Sequence, residues 1–338
     1  MRIGRRTFAT LGPLAALGIL AACSDDSGGG SGGEGGSGGE GGGDGDFVTD
    51  LTFGTGGTGG VYYPLGGEYA AIYEANIDGI TVTYTDSGAS VENIGKIFQG
   101  EWQLGIAQSD TATTAVTGTG EFEGAQVDNI GWIAGLYPEA AHIVTLSGSG
   151  IETAADLKGK RIAIGDVGSG TRAVSDAILA AYDIAEGDYE PFEQDFTSSL
   201  DLLRDNNIDA SVFVVGTPTG ALGDLAATND VALVSLDQDK AEQIAGESLF
   251  DVYTIEPDAY DFLEEPVVTL SVAAALIAST TQVSPELGYE ITKATFEHAE
   301  TITLAQGALI SHDFALSGQG EVPLHPGAQK YYEEEGLL

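Results

Sequence analysis

Residues 53–63 read Phe-Gly-Thr-Gly-Gly-Thr-Gly-Gly-Val-Tyr-Tyr, and this run decides how the rest of the chain is interpreted. It follows a short apolar segment and precedes apolar residues at helical spacing, so it predicts a strand, a glycine-rich loop and a helix. Glycines let a ligand approach the backbone closely, and a helix start offers free N–H groups and the positive end of its dipole. The loop is therefore a candidate anion-binding site.

A second glycine-rich loop has the same setting. Residues 165–172 read Gly-Asp-Val-Gly-Ser-Gly-Thr-Arg and also lie between a predicted strand and a predicted helix. The loop lacks the Gly-Lys-Ser/Thr of a nucleotide-hydrolysing P-loop. Hydroxyl groups in both loops add hydrogen-bond donors, but neither loop contains a base or a nucleophile. Two such loops predict two lobes that face one ligand.

Strand-like and helix-like segments alternate through the remainder, which indicates α/β lobes with open, mostly parallel sheets covered by helices on both faces. Strands are predicted at 47–55, 80–85, 104–108, 130–137, 143–147, 160–165, 210–215 and 267–278. Helices are predicted near 61–73 and 91–98, after 109, near 174–182 and 200–203, from 218, and over 286–305. We expect residues 47–142 plus 255–338 to form lobe 1 and residues 143–254 to form lobe 2.

The excess of acidic residues limits which molecules the chain can bind. The chain has 338 residues, with 12 Lys and Arg against 52 Asp and Glu, for a net charge of −40. Such a charge argues against nucleic acid or an anionic membrane surface as a partner. It suits a halophilic protein, because a Debye length of roughly 3 Å in molar salt screens repulsion between carboxylates. The four histidines lack metal-ligand spacing, so we expect no metal and no cofactor.

The N-terminus carries export signals. Residues 1–23 combine a basic start, an apolar stretch too short to span a bilayer, and a lipobox that ends at Cys23. Arg5-Arg6-Thr7-Phe8 resembles a twin-arginine signal. Residues 24–46 are glycine, serine and acidic residues alone, which is typical of a flexible tether. We therefore expect an extracytoplasmic protein that is lipid-anchored through Cys23 to the outer face of the cell membrane.

Eight motifs in order resemble the receptor subunits of TAXI-class TRAP transporters. They lie at 54–67, 90–94, 107–110, 156–161, 168–171, 209–210, 216–218 and 323–332. The resemblance implies the two-lobed type II fold of periplasmic binding proteins, with a cleft between the lobes. It also implies a fused, ion-gradient-driven TRAP membrane permease as partner. The expected solute is a small carboxylate such as glutamate, glutamine or 2-oxoglutarate, and the expected state is a monomer.

The resemblance also implies which residues line the cleft, and none of them is expected to be catalytic. Lobe 1 would contribute Thr55, Gly56, Tyr62, Ser90, Gln108 and Ser109. Lobe 2 would contribute Ser169, Gly170, Thr171, Gly216 and Pro218. Arg172 either pairs with a carboxylate of the solute or forms a salt bridge with the acidic surface.

Two other functions stay open at this stage. Residues 54, 56 and 59 fit the G-x-G-x-x-G pattern of a dinucleotide site, and Asp86 follows 27 residues after Gly59. The chain could therefore be a tethered dinucleotide-dependent enzyme. The same receptor fold could also serve as a ligand sensor without a transport partner.

Overall fold

The computed structural model describes residues 47–338, which belong to one compact unit. The predicted signal peptide with Cys23 and the predicted linker lie outside the described residues.

The described chain alternates strands and helices as expected. The strands are β1 (Asp50–Gly54), β2 (Thr81–Thr85), β3 (Leu104–Gln108), β4 (Ile130–Leu146), β5 (Arg161–Ala163), β6 (Glu190–Phe192), β7 (Ala210–Gly216), β8 (Val231–Leu233), β9 (Asp251–Ile255) and β10 (Val267–Ser279). The helices are α1 (Tyr62–Asn76), α2 (Ser90–Phe98), α3 (Ser109–Thr117), α4 (Thr171–Ala181), α5 (Phe196–Arg204), α6 (Gly220–Ala226), α7 (Gln238–Glu247), α8 (Pro285–Glu297) and α9 (Pro326–Glu334).

The ten strands form one mixed sheet in the order β2-β1-β3-β10-β4-β7-β5-β6, with β8 on β4 and β9 on β10. The two flanks are parallel, since β1 pairs with β2 and β3, and β5 pairs with β6 and β7. The centre is antiparallel, because β4 and β10 run in opposite directions beside each other. The alternation of strands and helices predicts mostly parallel sheets, whereas the sheet has parallel flanks and an antiparallel centre.

The long strands β4 and β10 lie side by side between the two parallel flanks. The C-terminal part of β10 pairs with β3, and the C-terminal part of β4 pairs with β7. The sequence predicts two strands where β4 is one, because polar residues between 138 and 142 interrupt the apolar run. In the structure Glu139 pairs with Val272 on one side and with Gly216 on the other, so the strand continues without a break. The register between β4 and β10 shifts at Ala274/Ala275.

Other boundaries differ from the predictions for local reasons. The helix predicted from residue 218 begins at Gly220, after a cis peptide bond at Thr217-Pro218. The helix predicted over 286–305 ends at Glu297, and short 3₁₀ turns at Ala299–Thr301 and Ala305–Leu309 follow it. Two further helices and three short strands were not predicted: α7, α9, β6, β8 and β9. No helix in the described part of the chain is both long and apolar enough to cross a membrane.

Candidate functional site

The starts of four helices meet at a cavity of about 100 Å³, which is room for a small solute in place of several water molecules. The helices are α1, α2, α4 and α5, and both glycine-rich loops contribute to the wall. The lining residues are Gly56, Gly57, Gly60, Val61, Tyr62, Ser87, Gly88, Ala89, Ser90, Gln108, Glu139, Gly165, Asp166, Ser169, Gly170, Thr171, Gln194, Asp195, Phe196, Ser199, Val212, Phe213, Val214 and Val215.

Three of the four helix starts have no side-chain cap. The cap positions of α1, α2 and α4 are Val61, Ala89 and Gly170, and none of them accepts a hydrogen bond from its own helix through a side chain. Helix α5 differs, because the Asp195 carboxylate accepts a hydrogen bond of 3.0 Å from the Ser198 backbone N–H. The first N–H groups of a helix have no partner within the helix, so these starts direct a positive dipole end toward the cavity. In α2 the N–H groups of Val91 and Glu92 are taken by the Gly168 carbonyl, which leaves the starts of α1 and α4 to offer backbone donors to a solute.

Contacts of the second glycine-rich loop with α2, β3 and α3 hold the walls of the cavity together. The backbone N–H groups of Val91 and Glu92 donate to the Gly168 carbonyl at 3.0 and 3.3 Å. On the opposite loop, a Cβ added at Gly170 would overlap the Gln108 side chain and lie 2.6 Å from Thr111 Oγ1. A glycine is therefore required at position 170 for the second loop to seat against β3 and α3.

A buried acid forms part of the wall. Glu139 is 2% exposed, and the Tyr62 hydroxyl donates a hydrogen bond to its Oε2. Burial raises the pKa of Glu139 to about 8, although the Tyr62 hydrogen bond opposes the rise. The nearby Asp110 is also buried, and burial raises its pKa to about 6. The charge on Asp110 raises the pKa of Glu139 further, so Glu139 is mostly uncharged at pH 7.

The remaining wall combines apolar and acidic side chains without a cation. Phe196, Phe213 and the valines of β7 supply the apolar part, and Asp166 and Asp195 lie among the polar residues. The lining, all of it within the described residues, includes no lysine, arginine or histidine. A negative solute group would therefore be held by backbone N–H groups and neutral donors rather than by an ion pair. The described residues also contain no cluster of three His, Cys, Asp or Glu side chains able to hold a metal ion.

Residues 53–336 match the NMT1-like family over most of the chain. The chain belongs to the NMT1-like family. This family is of the periplasmic solute-binding type. Proteins of this type bind small solutes outside the cytoplasm, work with membrane transporters and are not enzymes.

Solved structures show the same fold at low sequence identity. PhnD1 from Prochlorococcus marinus MIT 9301, in complex with methylphosphonate, has 10% identity and a TM-score of 0.54, and the match covers 86% of this chain and 99% of that one. A protein from Bordetella bronchiseptica RB50 has 17% identity and a TM-score of 0.53, with coverage of 85% and 82%. The alkanesulfonate-binding protein SsuA from Xanthomonas axonopodis pv. citri, bound to MOPS, has 16% identity and a TM-score of 0.47, with coverage of 69% and 66%. The fold of this NMT1-like chain is therefore the two-lobed α/β fold of periplasmic binding proteins.

Seven of the residues predicted to bind solute lie on the cavity wall of this NMT1-like protein: Gly56, Tyr62, Ser90, Gln108, Ser169, Gly170 and Thr171. Two of them present buried polar atoms, Gln108 Oε1 and Ser169 Oγ, that have no hydrogen-bond partner among the described residues. Ser90 Oγ accepts a hydrogen bond of 3.0 Å from the Gln108 backbone N–H, which fixes the start of α2 against the end of β3.

Thr55 and Ser109 were predicted to bind solute, but they lie off the cavity wall, where they hold the backbone in place. The Thr55 hydroxyl donates to the Thr85 carbonyl and joins β1 to β2. Ser109 Oγ accepts a hydrogen bond of 3.1 Å from the Ala273 backbone N–H on β10.

Three other residues predicted to bind solute also lie off the cavity wall: Arg172, Gly216 and Pro218. Arg172 donates to Asp176 and Glu193, both at 2.9 Å, so the structure places it in surface ion pairs rather than in the cavity. Gly216 packs against Tyr137 and Gln306, and the Pro218 carbonyl accepts a hydrogen bond of 2.9 Å from Gln306.

Sequence reasoning missed several wall residues, above all Glu139, Phe196 and Phe213. The one signal for Glu139 was that a carboxylate lies between two strongly apolar strand segments. The two phenylalanines look like ordinary core residues in sequence, and Phe196 and Phe213 do pack on each other with ring centroids 4.0 Å apart. Their place on the wall depends on contacts between segments far apart in sequence, which no local pattern encodes.

Proposed function

We propose that this chain is a receptor that captures a small carboxylate solute in the cavity and delivers it to a TRAP-type, ion-gradient-driven permease. The observation that carries the proposal is the convergence of the uncapped starts of α1 and α4 on a cavity whose described lining has no cationic side chain. Backbone N–H groups and helix dipoles bind anions at such positions. The resemblance to TAXI receptors, motif by motif along residues 54–332, supports the permease partner.

The rest of the wall suits a solute with a short carbon skeleton. Phe196, Phe213 and Val215 offer apolar contact, while Gln108 and Ser169 offer polar atoms that are still unpaired. A solute N–H group can donate to Gln108 Oε1, and a solute carboxylate oxygen can accept from Ser169 Oγ. Glutamate, glutamine and 2-oxoglutarate combine such a skeleton with at least one carboxylate.

The proposal includes closure of two lobes over the solute. In this proposal lobe 1 comprises residues 47–142 and 255–338, lobe 2 comprises residues 143–254, and β4 and β10 connect them. The proposal includes export by the twin-arginine route, a lipid anchor at Cys23, and a monomeric receptor on the outer face of the membrane. The acidic composition supports function in high salt.

A thermal-shift screen of small carboxylates in molar salt tests the solute class. A solute that binds only the folded protein stabilises it by RT ln(1 + [L]/Kd), which is about 2.7 kcal/mol at a hundredfold excess over Kd. We expect at least one of L-glutamate, L-glutamine and 2-oxoglutarate to raise the melting temperature in a concentration-dependent way. No shift with any small carboxylate, combined with a shift by neutral sugars or cations, would reject the solute class.

Reconstitution tests the transport role separately. Proteoliposomes that contain the cognate permease should take up the solute only when the receptor and an ion gradient are both present. A receptor that binds solute but supports no uptake would instead act as a sensor.

A further inference from the structure

Glu139 has one carboxyl oxygen occupied and the other available to a solute. Its side chain lines the cavity from β4, close to where the strand passes between the two parallel flanks of the sheet. Tyr62 of α1 donates its hydroxyl hydrogen to Oε2, which fixes the plane of the carboxyl group. Oε1 is thus the atom that can meet a solute.

The surroundings of Glu139 disfavour a negative charge on it. The titratable groups that act on it are Tyr62 on α1, Asp110 on α3 and Tyr137 on β4, and Asp166 and Asp195 line the same cavity. Every one of these is acidic. A carboxylate at this depth without a cation nearby is costly, and a second carboxylate from a solute would add direct repulsion.

An independent feature shows that the same wall is prepared for a ligand. Gln108 is 3% exposed, lines the cavity and has no hydrogen-bond partner for Oε1 among the described residues. Buried polar atoms are normally paired, so this unpaired acceptor on the cavity wall indicates a missing hydrogen-bond donor, such as an N–H group of a solute. Glu139 and Gln108 both lie on the wall of the same cavity.

We propose that Glu139 binds the solute in its protonated form, donating its own O–H to a solute carboxylate, so that capture of the solute requires one proton on the receptor. Tyr62 is the positioning residue, since its hydroxyl leaves Oε1 for the proton and the solute. No covalent bond is broken: below its pKa Glu139 already carries the proton, and above it the proton is taken from water as the solute binds. This inference rests on the proposed binding of a carboxylate.

Glu139→Gln provides a sharp test, because glutamine offers Tyr62 an acceptor and the solute a donor but cannot ionise. Calorimetry with 2-oxoglutarate and with L-glutamate, from pH 6 to 10 in molar salt, compares wild type with Glu139→Gln and Glu139→Ala. Wild-type affinity should fall about tenfold per pH unit above pH 8, since Glu139 has a pKa of about 8. In two buffers of different ionisation enthalpy, uptake should approach one proton per solute at high pH.

The variants should separate hydrogen bonding from structure. Glu139→Gln should bind severalfold more weakly than wild type at pH 7 and should lose the steep pH dependence. Glu139→Ala should bind more weakly still, because it offers no donor. Glu186→Gln, which changes an exposed acid in a loop remote from the lining residues, is the matched control and should keep the wild-type pH profile.

Two results would overturn the inference while leaving the receptor function in place. The first is wild-type affinity that is flat or rises with pH. The second is a Glu139→Gln variant that loses L-glutamate binding at all pH values, as expected if an ionised Glu139 faces the ammonium group of the solute. Failure of both solutes and of every other small carboxylate in the thermal-shift screen to bind wild type at any pH would overturn the proposed carboxylate function and this inference with it.

Discussion

Replacement of Glu139 by glutamine should change how the stability of the ligand-free protein depends on pH. In the folded chain the pKa of Glu139 is raised by burial from 4.5 to about 8. Between these two values the unfolded chain carries an ionised Glu139 while the folded chain keeps it protonated. The folded state then binds more protons than the unfolded state, so the free energy of unfolding falls as the pH rises.

The expected loss in the free energy of unfolding follows from the difference between the folded and unfolded pKa of Glu139. Each pH unit corresponds to about 1.4 kcal/mol, so a pKa raised from 4.5 to about 8 removes on the order of 5 kcal/mol of stability by pH 8. The stability is fully present below pH 4.5 and is lost as the pH rises through 8. Asp110, with a pKa raised from 3.8 to about 6, adds a loss of the same sign at lower pH in both proteins. The two proteins should therefore differ most between pH 6 and 8.

Urea unfolding in molar salt, followed by circular dichroism at pH 5, 6, 7 and 8, measures this difference. Wild type should lose stability steadily up to pH 8, whereas Glu139→Gln should level off above pH 6. The exposed-acid variant Glu186→Gln should follow wild type. Parallel curves for wild type and Glu139→Gln across this range would refute the reasoning, because they would show that Glu139 is ionised in the folded protein.

Other predictions concern the second loop, the anchor and the surface charge. Gly170→Val should abolish solute binding in calorimetry, because its side chain would occupy the space of Gln108 and Thr111, and wild-type affinity would show that the loop does not close the cavity. Ser169→Ala should weaken carboxylate binding by about 1–3 kcal/mol, since Ser169 Oγ is a buried donor without a partner among the described residues, and an unchanged Kd would remove it from the site. Cys23→Ser should release the protein from membranes on fractionation or leave it unprocessed, and a processed, membrane-bound variant would contradict the anchor. Stability by circular dichroism should fall as salt is lowered and the Debye length grows to roughly 30 Å at 0.01 M, and equal stability in molar and millimolar salt would contradict a halophilic surface.

The sequence predicted the helices and strands that have a regular apolar pattern within their own residues. Residues 62–76 and 90–98 form helices close to the predicted positions, and β3 has the predicted bounds, because each segment has a regular apolar stripe or an unbroken apolar run. The three-residue strands β6 and β8 were missed, since so short a strand is defined by its neighbours in the sheet rather than by its own sequence. The mixed sheet was also missed, because pairing between β4 and β10 joins residues more than a hundred positions apart.

For the site too, the sequence predicts the features that depend on local order and not those that depend on distant contacts. Both glycine-rich loops reach the wall because a strand, a loop and a helix in succession place the helix start at the end of the sheet, and this order is visible in sequence. Thr55 lies in the first glycine-rich loop and Ser109 begins α3, but these residues bond to Thr85 and to Ala273 of β10 and do not line the cavity.

The role proposed for Glu139 depends on the lack of a cationic side chain in the described lining of the cavity. A carboxylate in a strand is ordinary where a lysine or arginine lies across from it, and the sequence does not show which residues will do so. Here the fold surrounds Glu139 with tyrosines and other acids and places Arg172, the basic residue nearest in sequence to the second loop, in ion pairs on the surface. The absence of a countercharge favours the proton, and a protonated acid beside uncapped helix starts can bind an anion without an ion pair. Such a site keeps its polarity in molar salt, where surface ion pairs are strongly screened.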